Sequence, residues 1–300
     1  MKKILCLLNP ASGKVAPQVD FLKKRLREIA QARGWDLTLI QTERPGHATE
    51  VVQGARGQSW DRIISCGGDG IINEVAGALV GSAQTFGLLP FGSGNGLARH
   101  LRIPLNLEAA CAVIDAGAST TIDTGTADGH PFINVAGVGF DAEIGRQFNT
   151  LTKRGPLPYF KASFRTLWGY QSQHYALRNG EVATAGKALL VSVANGSQYG
   201  NNARIAPIAS LRDGCLDLVH LPIPGPLTAL TSVLRLFRGN LHKAPRVTYW
   251  QGDHFDLQLP APAILHTDGE IHSCGKDVTF RIQPASLKIC LPETVSPDRV

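Results

Sequence analysis

Residues 65–79 read SCGGDGIINEVAGAL. An apolar run ends at Cys66, a bare turn of glycines around a single aspartate follows, and an amphipathic run begins at Ile71. A strand that enters a glycine turn and leaves as a helix is the βα unit of a parallel sheet. The flanks repeat the pattern. Upstream, KKILCLL (2–8) reads as a buried strand, and Val19, Leu22, Leu26, Ile29 and Ala30 fall at helical spacing before Gly34. WDLTLIQT (35–42) is a second strand, HATEVVQGA (47–55) a short helix and DRIISC (61–66) a third strand. Downstream, IINEVAGALVG is a helix, TFGLLP (85–90) a fourth strand, and GLARHL (96–101) starts another helix. Helices on both faces of a parallel sheet are expected.

Near residue 125 the texture changes. TTIDTGTADGHPFINVAGVGF (120–140) reads as two strands around an Asp-Gly turn, an aromatic-rich helix is expected over 157–173, and a further helix over 226–238. The remainder is a series of short strands broken by Gly, Asn and Asp, the pattern of an antiparallel sheet or sandwich. The expected organisation is an α/β nucleotide-binding domain over 1–125 and a β-rich domain over 126–300, with the active site in the cleft between them. Whether the last strand returns to the first domain is left open by the sequence.

Composition narrows the class. With 43% apolar and 18% charged residues the chain is globular. Its six cysteines, at 6, 66, 111, 215, 274 and 290, show no CxxC spacing, which fits buried thiols in a reducing, cytoplasmic setting rather than disulfides or a zinc site. The apolar stretch Ile4–Leu8 is shorter than the ~7–15 residues of a secretory signal, and no run reaches the ~18 residues of a membrane span. Thirty basic against 24 acidic residues give +6. The basic residues are dispersed, KKRLR (23–27) being the densest group, so phosphates or an anionic bilayer surface suit the charge better than nucleic acid.

Three loops follow strand ends: NPASGK (9–14), GGDG (67–70) and PFGSGNGLAR (90–99). In an open α/β sheet ligands bind at the carboxyl ends of strands. Glycine lets backbone amides approach a ligand, and a helix start adds a positive dipole end, so the loops point to phosphate. NPASGKV is not a Walker loop, because Leu8 stands at its first glycine and Val15 follows the lysine. GVGFDA (137–142) matches G-x-G-x-x-A but lies in the antiparallel half with no acidic residue about 20 positions on, and reads as a chance dinucleotide match. Asp69 inside a phosphate cradle would repel phosphate unless a cation intervened, which suggests Mg²⁺; a turn-capping aspartate is the plainer alternative.

GGDGIINEV resembles the GGDGTxNEV signature of the diacylglycerol kinase catalytic domain family, which includes bacterial lipid kinases and sphingosine kinases. NPASGK, LLPFGSGNGLARHL, NVAGVGFDAEI and HTDGEI are similar to its other motifs, in order along nearly the whole chain. The resemblance implies an ATP- and Mg²⁺-dependent lipid kinase. It would place ATP against Asn9, Pro10, Ser12, Gly13, Lys14 and Thr42, over Gly67, Gly68, Asp69 and Gly70, and against Gly92, Ser93, Gly94 and Asn95. Asn73 and Glu74 would support the loop, Arg154 would meet phosphates, and Asp141 would face the lipid head group. Asp268 would act as base with Glu270 beside it, and Asp213, with the carbonyls of Ser210 and Cys215, would hold a structural Mg²⁺. Without the family, the Asp268-Gly269 and Asp213-Gly214 pairs are ordinary turn sequences. Where the family usually has Thr, this chain has Ile71, which offers phosphate no hydroxyl.

A lipid kinase needs an apolar slot and a membrane surface. Phe160, Phe164, Leu167, Trp168 and Gln171 share one helical face, and Leu227, Leu230, Leu234 and Phe237 another, beside Arg235 and Arg238. Core packing explains such stripes more often than a ligand does. The expected partner is a lipid such as diacylglycerol or a sphingoid base, met by transient peripheral contact of a soluble enzyme with a membrane. The other readings are an NAD kinase-like enzyme, from GGDG alone, and a catalytically weak lipid- or nucleotide-binding regulator, from Ile71. Oligomeric state is not legible.

Overall fold

The computed structural model describes residues 1–12, 15–150, 170, 173–180, 182–222 and 226–296. The sequence-predicted positions Gly13, Lys14, Arg154, Phe160, Phe164, Leu167, Trp168 and Gln171 lie outside them, as do the side chains of Leu227 and Leu230. The chain divides into two compact units, Met1–Asp123 with Ala285–Val300, and Thr124–Pro284.

In the first unit β1 (Lys2–Leu8), β2 (Trp35–Gln41), β3 (Arg62–Gly67) and β4 (Phe86–Pro90) pair in the order β2-β1-β3-β4, all parallel. The central strand β1 is buried from Ile4 to Leu8 because it has a neighbour on each side and helices over the sheet. Helices α1 (Val19–Arg33), α2 (His47–Ala55), α3 (Asp69–Leu79), α4 (Gly96–His100) and α5 (Leu107–Ala116) fill the crossovers. Gly34, at φ 65°, ends α1 in the left-handed conformation that suits glycine. Asn106 caps α5 by accepting from Ala109 N–H at 3.1 Å.

The boundary between the units falls inside a long strand, β16 (Asp277–Cys290). Its end pairs with β4 in parallel, Ile289 opposite Phe86. The accompanying segment is tied to the first unit by Ala285 N–H to Asp123 Oδ1 (2.7 Å) and Gly81 N–H to the Ser286 carbonyl (2.7 Å).

The second unit is antiparallel. β12 (Thr248–Gly252), β11 (Leu216–Leu221), β10 (Leu190–Ala194), β7 (Val135–Gly139), β14 (Ala263–Thr267) and β15 (Glu270–Cys274) form one sheet in that order. β9 (Val182–Ala188), β8 (Gln173–Asn179), β13 (His254–Gln258) and the first part of β16 form another, joined by β5 (Ser119–Ala127) and β6 (His130–Phe132). The Asp128-Gly129 turn between β5 and β6 has positive φ at both residues, 50° and 82°, as a tight hairpin requires. Phe132, Phe255, Phe280, Val138, Val191 and Leu218 pack into a single core cluster. Val135, Leu190 and Val219 belong to a separate cluster on the opposite face of the six-stranded sheet. Helix α6 (Phe140–Thr150) contributes Phe140 and Ile144 to it, and the helix Pro226–Arg238 contributes Leu236.

Candidate active site

In the first unit the three glycine loops form one object made largely of backbone. A Cβ on Gly67 would meet the Ile71 Cγ2 methyl at 2.7 Å and Ser12 Oγ at 2.8 Å. Ser12 Oγ accepts Gly68 N–H at 2.8 Å. Gly68 lies directly on Gly92: a Cβ on Gly92 would stand 2.5 Å from the Gly68 Cα. Asn95 is fully buried at φ 52°, accepts Gly92 N–H at 2.8 Å and donates to the Gly92 carbonyl at 3.0 Å. Asp69 closes the assembly, one oxygen accepting Asn95 N–H (2.9 Å) and the other Gly96 N–H (2.8 Å) at the start of α4. Asp69 therefore clamps loop to loop, a task the sequence reading did not give it. Gly70 and Ser93 are exposed and Gly94 half-buried at the rim.

The other expected contacts have structural duties. Asn9 donates its N–H to the Cys66 carbonyl at 3.1 Å, and its Oδ1 accepts Ala11 N–H at 2.8 Å, which shapes the first loop around half-buried Pro10. Thr42 is buried and directs both N–H (2.9 Å) and Oγ1 (3.4 Å) at the Leu8 carbonyl. Asn73 is buried on α3. Glu74 Oε2 accepts Ala48 N–H at 3.1 Å, so it caps the first turn of α2. Ile71 is 1% exposed and packs beneath Gly67. It belongs to the core under the loop, which answers why an isoleucine can stand there.

In the second unit Asp268 and Gly269 form the β14–β15 turn with φ 51° and 92°. The Asp268 carboxylate accepts Ile133 N–H (2.7 Å), Asn134 N–H (2.9 Å) and Val135 N–H (2.9 Å), and its own N–H donates to the Val135 carbonyl (2.9 Å). Charge-assisted bonds of this kind are among the stronger ones. Glu270 pairs with Thr267 across the hairpin mouth.

Asp141, one residue into α6, sits over β7. Register explains how. Ser192, Gly137 and His266 are direct neighbours across β10, β7 and β14. Gly137 has no side chain, and the Asp141 carboxylate fills the vacancy: a Cβ there would meet Asp141 Oδ2 at 2.8 Å. That oxygen contacts Ser192 Oγ (2.5 Å), Tyr199 Oη (3.0 Å) and His266 Nε2 (3.2 Å), while Oδ1 accepts Ala142 N–H (2.9 Å). Ser192 and Tyr199 also lie 2.6 Å apart. Two hydroxyl protons cannot serve three oxygen contacts. The shortest pair of links gives the relay Tyr199 to Ser192 to Asp141. The G-x-G-x-x-A match is thus a packing requirement: Gly137 makes room for Asp141, and Gly139 for the Tyr175 hydroxyl, 2.9 Å from where its Cβ would be. Sequence reasoning missed Ser192, Tyr199 and His266. The available signal was a lone polar residue inside each apolar strand, LLVSVANG and AILHTDG. Next to them, Thr267 Oγ1 bonds His272 Nε2 at 2.8 Å, and His272 stacks on His130 with ring centroids 3.9 Å apart. Burial first, then the neighbouring His130 and His266, hold the His272 pKa down to about 4, so the ring is neutral at physiological pH.

The expected metal loop is a turn before β11. Asp213 Oδ1 accepts Cys215 N–H at 3.0 Å, and Gln251 Nε2 reaches Oδ2 at 3.4 Å. Asp217 lies on β11, 1% exposed, with neither carboxylate oxygen hydrogen-bonded. Burial first and the Asp213 charge second push its pKa up to about 7. Two carboxylates repelling one another beside backbone carbonyls are hard oxygen donors that a divalent cation would relieve. Among the described residues no group of three or more His, Cys, Asp or Glu side chains gathers as a metal site, so carbonyls and water would have to complete the set. Cys215 is half-buried and the other five thiols are buried, that of Cys111 pushed up to about 12 by burial.

The comparisons find the same two parts, a glycine-loop α/β unit and an antiparallel sandwich. Residues 3–127 match the diacylglycerol kinase catalytic domain. Residues 134–291 match the YegS C-terminal NAD kinase beta sandwich-like domain. The chain is 29% identical over 279 residues to a diacylglycerol kinase of Bacillus subtilis (strain 168), covering 90% of each. It is 30% identical over 271 residues to "Probable lipid kinase YegS" of Escherichia coli O17:K52:H18, covering 88% of this chain and 89% of that one. A crystal structure of a diacylglycerol kinase from Bacillus anthracis str. Sterne superposes with TM-score 0.73 at 19% identity over 98% of each chain, a likeness of fold. The chain belongs to the diacylglycerol kinase and YegS family of lipid kinases.

Proposed function

We propose that the protein transfers the γ-phosphate of ATP, with Mg²⁺, to a hydroxyl of a membrane lipid such as diacylglycerol or a sphingoid base. The observation that carries the reading is the backbone assembly of Ser12, Gly68, Asp69, Gly92 and Asn95. It locks the three loops together at the carboxyl ends of β1, β3 and β4 by bonding the Gly68, Gly92, Asn95 and Gly96 N–H groups internally, and so holds the first-turn amides of α3 at Gly70 and Ile71, with Ser93 and Gly94 at the rim, as donors to phosphate oxygens that require no reorganisation. Bound Mg²⁺ would neutralise charge on the phosphates, and Asp213 with the Ser210 and Cys215 carbonyls would hold a second, structural ion.

In the second unit Asp268 is a carboxylate held by three N–H donors and therefore fixed in position. In the proposed reaction the acceptor hydroxyl passes its proton to Asp268. Its oxygen forms the new bond to the γ-phosphorus, and the bond from that phosphorus to the ADP oxygen breaks. Asp141 orients the acceptor head group through a carboxylate whose direction is set by Ser192, Tyr199 and His266. The test is incubation with γ-labelled ATP and a total lipid extract. Label in an organic-extractable product, dependent on Mg²⁺, is expected. Label appearing only in NADP, or in no product, contradicts the reading.

A further inference from the structure

The exposed large apolar side chains include Val233 (43%), Leu234 (46%) and Phe237 (37%), all on the helix Pro226–Arg238. The opposite side of the helix is anchored. Ser232 is buried, Leu236 packs on the cluster of Val135, Leu190 and Val219, and the Leu236 carbonyl accepts Arg204 N–H at 3.0 Å. At 100° per residue, Leu234 stands at the crest opposite that anchored side. Val233 and Phe237 form one flank, and Arg235 and Arg238 the other. A third guanidinium joins them, because the Arg204 side chain crosses Gly239 at the helix end, its Cδ 3.0 Å from where a Cβ would stand. Arg204 and Arg238 are exposed, and no carboxylate among the described residues pairs with any of the three arginines.

We propose that this helix is the element by which the protein docks on an anionic lipid bilayer. Leu234 and its apolar flank would enter the headgroup–acyl boundary, and Arg204, Arg235 and Arg238 would lie among the phosphates. Basic residues in a last turn also complement a helix dipole, but that leaves the apolar crest unexplained. A second copy of this chain on the same face would bring three unpaired arginines against three. An apolar crest with a basic flank is what an interfacial helix requires. The proposal deepens the lipid-kinase reading by naming the surface that meets the membrane, yet it is tested without turnover.

The full-length protein, without ATP, is floated with vesicles of pure phosphatidylcholine and of phosphatidylcholine mixed with phosphatidylglycerol. Binding to the mixed vesicles, weakened by salt, is expected. Each arginine near the surface is worth about 1 kcal/mol, so Arg235→Gln with Arg238→Gln should weaken partition roughly thirtyfold. Leu234→Ser should weaken it at every salt concentration. Both variants should keep the parent's circular dichroism and its activity on a water-soluble short-chain acceptor. Variants that bind mixed vesicles as the parent does overturn the proposal. So does a parent that ignores vesicles but forms a dimer abolished by Leu234→Ser. Vesicle binding without label transfer would instead defeat the kinase reading and leave the docking surface standing.

Discussion

The glycine-loop junction of the first unit and the polar cluster of the second are both organised around an aspartate, but they are built from different material. Asp69 accepts from backbone, from Asn95 and Gly96 N–H, and the surrounding loops touch through glycine Cα atoms. Asp141 Oδ2 is held by three side chains from β10, the loop after it and β14. Asp268 lies between the two kinds: it is in the second unit, yet it is bound like Asp69, by backbone N–H. A backbone site tolerates almost no added atom. A side-chain site can lose one donor and persist, since Asp141 retains the others.

Gly92→Ala should break the first kind of site most severely. Its methyl would lie 2.5 Å from Gly68 Cα and 2.8 Å from Asn95 Oδ1, backbone and a buried amide that cannot swing away. ATP affinity, followed by calorimetry, should fall roughly a hundredfold, about 2.7 kcal/mol. An unchanged affinity would show that the loops do not hold the nucleotide.

Asp268→Asn tests whether the intermediate case is clamp, base or both. The amide presents at most one accepting oxygen to three N–H donors, and its own NH₂ faces one of them. Hydrogen bonds to a charged group are worth ~1.5–3 kcal/mol, so the melting temperature should drop by several degrees, with kcat falling steeply and ATP affinity kept. A stable variant with low kcat would assign Asp268 to the chemistry alone. An unstable variant with normal kcat would assign it to the fold alone.

Tyr199→Phe removes the first hydroxyl of the relay to Asp141. The expected loss is about 1 kcal/mol, seen as a roughly fivefold higher KM for the lipid with the KM for ATP unchanged. A shift in the ATP KM instead would place the cluster on the nucleotide side.

The same contrast decides what the sequence disclosed. The parallel unit was legible because βα repeats and glycine turns are local patterns, and the sandwich because its turns are Asp-Gly or Asn-Gly. The motif aspartates were legible as residues, but their tasks were not. That Asp69 reaches Asn95 across 26 positions, and Asp268 reaches Ile133 across 135, follows only from the sheet. Thr42 follows β2 and Glu74 lies on α3, yet their bonds run to the end of β1 and the start of α2. Ser192, Tyr199 and His266 share no motif. Strand register gathers them, and single polar residues in apolar strands are common enough to be only a weak signal. The Ile71 departure looked functional and is a packing choice under Gly67.

A separate effect, away from the glycine loops, concerns Asp217. Its folded pKa, about 7, lies above the ordinary value of 3.8, so the folded state binds more protons than the unfolded state between those values. Stability therefore falls as pH rises through that window, in the direction opposite to a paired carboxylate. Asp217→Asn should match the parent near pH 4 and melt a few degrees higher near pH 8, where the parent carries a buried charge. Equal melting temperatures at both pH values would mean that Asp217 is already neutralised by a partner.

The central claim is that backbone amides of the glycine loops hold the phosphates. Hydrogen–deuterium exchange of the full chain, with and without Mg²⁺ and ATP, tests it most directly. The account predicts new protection at 70–71 and 93–94, absent in Gly92→Ala, because the amides at 9, 11–12, 68, 91–92 and 95–96 are already bonded within the protein. Unchanged exchange in those loops at saturating ATP, with protection elsewhere in the chain, would contradict it.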